Sequence, residues 1–103
     1  MSAQRFDEIG QLLTGNRQSS MFGVPCFKLG RRPFISLYEG KLVCKLPEPH
    51  RSEALQLSGA SAFNPRGNAR PMGNWIQIPE RHQDRWDHYA TLAYEALREE
   101  NGG

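Results

Sequence analysis

The chain has 103 residues, 38% of them hydrophobic and 23% charged, with a formal net charge of +2. That length admits one domain, over residues 1–103, and the composition excludes a disordered chain, a collagen-like repeat and a disulfide scaffold. No apolar run approaches the roughly 18 residues a membrane span needs, so a soluble globular protein is expected.

Phe6, Ile9, Leu12 and Leu13 recur at three- and four-residue spacing, which predicts an amphipathic helix over residues 4–14. Asp7 and Glu8 then fall in its first turns, where the helix dipole favours negative charge, and Gly15 and Asn16 end it. From Met21 the pattern becomes strand-like. Residues 21–29 predict a first strand, Gly30-Arg31 a tight turn, residues 33–38 a second strand, Glu39-Gly40 another turn and residues 41–46 a third strand. In that third strand Leu42, Cys44 and Leu46 share one face, and Lys41, Val43 and Lys45 the other. Counting through two-residue turns sets Leu37 opposite Leu42, and Ile35 between Cys44 and Cys26. The two thiols would then lie two strand spacings apart, about 9.6 Å, beyond disulfide reach.

Pro47 opens a short second helix whose apolar residues are Ala54, Leu55 and Leu57, and Ser58-Gly59 closes it. Residues 59–74 read as a long loop with a short strand near Ala62-Phe63, and Trp75-Ile76-Gln77-Ile78 alternates as a last strand. A final helix starts near Pro79 and runs to about Glu100, burying Trp86, Tyr89, Ala90, Ala93 and Leu97 and exposing Asp84, Asp87, Glu95 and Arg98. The expected fold is α+β: an antiparallel β-meander with helices packed on one face, in the order α-β-β-β-α-(β)-β-α.

Charge is unevenly placed. Residues 1–19 are neutral overall, residues 20–72 carry eight cations against three acids, and residues 73–103 carry three arginines against six acids. A basic middle of +5 gathered on one face would suit nucleic acid, whereas dispersal would suit a protein partner. The cysteines lie in apolar stretches with no CxxC spacing and no neighbouring histidine, so neither zinc nor thiol catalysis is expected, and a reducing cytoplasm is. A signal peptide's apolar core is not evident in Met-Ser-Ala-Gln-Arg-Phe-Asp. Nucleophile elbow, Walker A, dinucleotide and zinc-protease motifs are absent, and no cofactor or catalytic residue is expected.

Two stretches suggest binding. Arg31 and Arg32 at a hairpin tip could act as a wing on a phosphate backbone, joined by Lys41, Lys45, Arg66 and Arg70. The loop holding Arg66, Gly67 and Arg70, with Trp75 beyond it, could bind an anion through guanidinium groups and backbone amides. The hairpin tip also suits a plain charged surface, and the loop a plain connection whose arginines pair with acids of the last helix.

Met21-Phe22-Gly23, Lys45-Leu46-Pro47, Phe63-x-Pro65-x-Gly67 and Arg70-Pro71-Met72 leading to Trp75 resemble the TfoX N-terminal domain family (TfoX/Sxy), as does the closing helix with Trp86 and Ala93-Tyr94. The likeness covers about residues 6–98, and the MmcQ/YjbR-like proteins share the plan. Val24-Pro25 stands where many members carry a second glycine. Full-length members regulate competence genes and carry a further C-terminal domain, which this chain is not expected to have. The YjbR-like relatives have been proposed to bind DNA through winged hairpins, which would map onto Gly30-Arg31-Arg32. Met21, Phe22 and Gly23, with Pro71 and Met72, are read as structural, marking helix–sheet packing and a close backbone approach. The resemblance implies a regulatory or adaptor protein without enzymatic activity, acting as a monomer or homodimer through protein contacts. Weak nucleic-acid binding and an anion or small-molecule site at residues 63–75 are the alternatives.

Overall fold

The computed structural model describes residues 2–21, 23–63 and 74–102, the side chains of Met21, Asn101 and Gly102 excepted. Helix α1 spans Ser2–Thr14 and strands β1–β4 span Ser19–Met21, Val24–Leu29, Arg32–Tyr38 and Lys41–Lys45. Helix α2 follows at His50–Leu55, β5 at Ser61–Ala62 and β6 at Trp75–Ile78. A 3-10 turn at Glu80–His82 leads into α3, Gln83–Gly102. The strands form one antiparallel sheet in the order β1-β2-β3-β4-β6-β5, so β6 covers the edge that the meander would otherwise leave open. The α+β architecture and the order of its main elements agree with the sequence reading.

The differences have local causes. Helix α1 starts at Ser2, so Asp7 and Glu8 lie past its first turn, which has no acid. Asp7 instead accepts hydrogen bonds from the Gln11 and Gln18 amides, at 2.7 and 3.3 Å. Phe6 and Ile9 are buried and Leu13 packs against them, but Leu12, rotated one step off that stripe, is 88% exposed. The expected first strand is a hairpin: Met21 pairs with Val24, and Gly23, at φ 78°, makes the connection. A Cβ placed on Gly23 meets no described atom within 4 Å, so this glycine serves a positive backbone angle and not a close approach. Helix α2 begins at His50, three residues beyond Pro47, and Leu55 on it is exposed. The Glu48 carboxylate accepts the Ser52 amide and hydroxyl at the start of α2, and those bonds hold its pKa below the usual value.

A bulge changes the register of the meander. Gly30-Arg31 forms the expected two-residue turn, since Leu29 pairs with Arg32 and Lys28 with Pro33. The next pair is Phe27 with Ile35, leaving Phe34 as an extra residue in β3. Pro33 has no N–H to give to a central ladder, which is where a bulge is tolerated. Cys26 therefore faces Ser36 and not Ile35, while Ile35–Cys44 and Leu37–Leu42 pair as counting predicts. Phe34 and Ile35 both enter the core on the helix side, with Phe34 edge-on to Tyr94 at 5.4 Å.

That core lies between the sheet and the helices. Trp86, Tyr89, Ala90, Ala93 and Leu97 of α3 are all buried in it against Phe27, Ile35, Leu42, Cys44, Ile76 and Ile78, and α2 contributes Ala54. The Trp86 indole N–H donates to the Pro79 carbonyl at 3.2 Å, so burial of this large ring leaves no polar atom unpaired. Each large side chain buried here contributes about 1.5–3 kcal/mol.

Candidate functional site

Strand alternation gives the sheet a second face, away from the helices. In β4 this face holds Lys41, Val43 and Lys45, because Leu42 and Cys44 belong to the core. Register carries the row outward: Tyr38 pairs with Lys41, Ser36 and Gln77 flank Val43, and Lys45 pairs with Trp75. Lys28 joins from β2, since its neighbours Phe27 and Leu29 turn toward the helices. Phe63 continues β5, donating its amide to the Trp75 carbonyl at 2.9 Å. The Phe63 and Tyr38 rings meet edge to face at 5.2 Å. Val43, Cys26 and Phe63 are buried yet lie outside the helix-side core, so this face has a small apolar centre of its own. The Ser36 hydroxyl there donates to the Pro25 carbonyl at 2.9 Å.

Around that centre the charge is of one sign. Among the described residues the strands hold four charged side chains, Lys28, Arg32, Lys41 and Lys45, and not one acid. The acids lie on the helices and turns, with Asp84, Asp87, Glu95, Glu99 and Glu100 all on α3. Lys28, Lys41 and Lys45 are the only lysines of the chain; strand alternation assigns all three to the helix-free face, and Lys45, at the end of β4, also borders a small cavity beside α3.

The residues singled out in the sequence are thus divided. Lys41, Lys45 and Trp75 share this face, each half-buried. Arg31 sits exposed at the tip of the β2–β3 hairpin. Arg32 pairs with Leu29 and turns to the helix side, where its guanidinium lies 3.7 Å from Glu100 of α3. Arg66, Gly67, Arg70, Pro71, Met72 and Phe22 lie outside the described residues. Lys28 and Tyr38 are the additions that sequence reading missed. Tyr38 was within reach, being two residues from Ser36 and directly opposite Lys41. Lys28 was not, because without the bulge it counts to the helix side.

The remaining reactive side chains do not converge. Cys44 is in the helix-side core and Cys26 on the opposite face, which corrects the expected placement on either side of Ile35. Burial raises both thiol pKa values; at Cys26 the Lys28 charge and the Ser19 hydroxyl offset part of the rise. His50 lies 3.7 Å from Glu53, His82 contacts the Ser58 carbonyl at 2.8 Å, and His88 meets the Tyr89 ring edge to face at 4.9 Å. Among the described residues no group of three histidine, cysteine or acidic side chains could hold a metal ion. A cavity between Phe34, Lys45, Pro47, Asn74, Leu97 and Glu100 measures about 30 Å³, room for no more than a water or two. No described helix is long and apolar enough to cross a membrane.

No family model matches this chain, and neither the curated proteins nor the solved structures contain a match to it.

Proposed function

We propose that this chain is a non-enzymatic binding protein of the TfoX-like regulatory kind, and that the helix-free face of its sheet binds an anionic macromolecule. The observation that carries the reading is the segregation of charge: strand alternation gives Lys28, Lys41 and Lys45 one face, and among the described residues no strand holds an acid that would neutralise them. Cations collected on one surface raise the local concentration of an anionic partner and speed its encounter. Two thiols kept protonated by burial and three separated histidines support a role without catalysis. A cytoplasmic setting belongs to the same reading and rests on the two free thiols.

Retention on immobilised heparin tests it. The wild-type protein should be retained at low salt, and the triple variant Lys28→Gln, Lys41→Gln, Lys45→Gln should pass through with its thermal unfolding intact. The pair Arg31→Gln, Arg32→Gln should elute close to wild type, because Arg32 is engaged with Glu100 on the other side of the sheet. Full retention of the triple variant would contradict the reading, and loss in the arginine pair alone would move the surface to the hairpin tip.

Contact with a partner protein is the second reading. Its support is Leu12, 88% exposed on the outer side of α1, away from the lysines. A Leu12→Gln variant that lost a partner captured by the wild type, while keeping heparin retention, would establish that contact as separate.

A further inference from the structure

We infer that the anionic macromolecule is single-stranded nucleic acid, its bases stacking on Trp75 and Tyr38 and its phosphates meeting Lys41 and Lys45. The inference rests on the reading of the helix-free face as the binding surface and specifies what occupies it.

Two cross-strand pairs define the site. Tyr38 stands directly opposite Lys41, and Trp75 directly opposite Lys45. Paired residues on one face have Cβ atoms about 4.5–5.5 Å apart, so each lysine side chain leaves the sheet next to a ring. The two lysines are four residues apart on one strand, about 13 Å along it. Between them Ser36 and Val43, both buried, and the half-buried Gln77 carry no charge of either sign. Tyr38 is braced edge-on by Phe63, which fixes its ring plane. Trp75 is anchored by the Phe63 amide on its carbonyl and keeps part of its indole open to solvent.

Charge alone would suit any polyanion, and the rings distinguish among them. A duplex offers phosphates to the lysines but keeps its base faces stacked inside, where no side chain of a flat sheet reaches them. An acidic peptide would satisfy the lysines and leave both rings without a partner. A single strand supplies phosphates and unstacked base faces together, and stacking tolerates any base because every base has a π face.

The fluorescence of Trp75 provides the test. The chain has two tryptophans, and Trp86, on the core side of α3, is 0% exposed, so a change on ligand addition reports Trp75. An oligo(dT) of about a dozen nucleotides should quench the emission, within the span that such sites cover. A duplex of equal length should bind more weakly and leave the emission unchanged. With Lys41 and Lys45 each on a phosphate, log K should fall against log salt with a slope of about −1.4. Trp75→Leu should weaken oligo(dT) binding roughly ten-fold, read by anisotropy of a labelled oligonucleotide, while Trp75→Phe stays within about two-fold. Should the Leu variant fail to unfold cooperatively, the wild-type quench and the Phe variant still decide. Equal affinity for the duplex, unchanged affinity in Trp75→Leu, or binding of poly-glutamate in place of oligo(dT) would each overturn the inference. Heparin retention that depends on the three lysines would survive any of those results, so failure of the ligand assignment is distinct from failure of the surface.

Discussion

Gly10 shows how one residue sets the distance between two layers. It is a buried glycine inside α1, where glycine costs about 1 kcal/mol relative to alanine. Its reason is Phe27: a Cβ at position 10 would overlap that ring, which packs against α1 with Phe6 at 5.2 Å. Two effects therefore oppose each other in Gly10→Ala. Helix propensity favours the variant by up to about 1 kcal/mol, and overpacking opposes it by about 1–3 kcal/mol. The steric effect wins because the overlap is with a ring that the core already encloses. A urea unfolding midpoint below wild type is the expected outcome; a raised midpoint would mean that α1 does not lie on Phe27.

Among the elements, the β2–β3 pair decides which side chains belong to which face. The bulge at Phe34 sends Phe34 and Ile35 to the helices and leaves Cys26 and Lys28 on the other side. The thiols report this directly. Cys44 lies under the helices, so its modification requires the whole core to open; Cys26 needs only local opening of the outer face. Timed alkylation in increasing urea, read by mass spectrometry of peptides, should label Cys26 well before Cys44. Joint labelling along one urea curve would place both thiols in one layer and contradict the bulge. The same element marks the limit of what could be read from sequence. Glu39-Gly40, Gly30-Arg31, the β3–β4 register and the buried stripe of α3 were legible, because turn residues and apolar spacing encode them locally. The hairpin at Met21–Val24 was not, since Val, Phe and Leu run on through it and only Gly23 interrupts them. The bulge was not either, because Pro33 signals an irregularity without saying which residue is extra. The binding face inherits that split, with Lys41, Lys45 and Trp75 readable and Lys28 hidden.

For the molecule as a whole, the arrangement is a division of labour between two faces of one sheet. One face is covered by α1, α2 and α3, which supply the apolar core and carry most of the acids. The other is left to three lysines, two half-buried rings and a small apolar centre. A core on one side is sufficient for stability, which leaves the second face available to bind. The acids of the helices also repel a polyanion that approaches from that side, so orientation is set before contact. The central claim is that binding occurs on this face, and amide chemical shifts of labelled protein titrated with oligo(dT) test it most directly. Shifts should be confined to Lys28, Tyr38, Lys41, Val43, Lys45 and Trp75 and their strand neighbours, with α1 and α3 unchanged. Shifts centred on the exposed side of α1, or an unchanged spectrum at low salt, would contradict it.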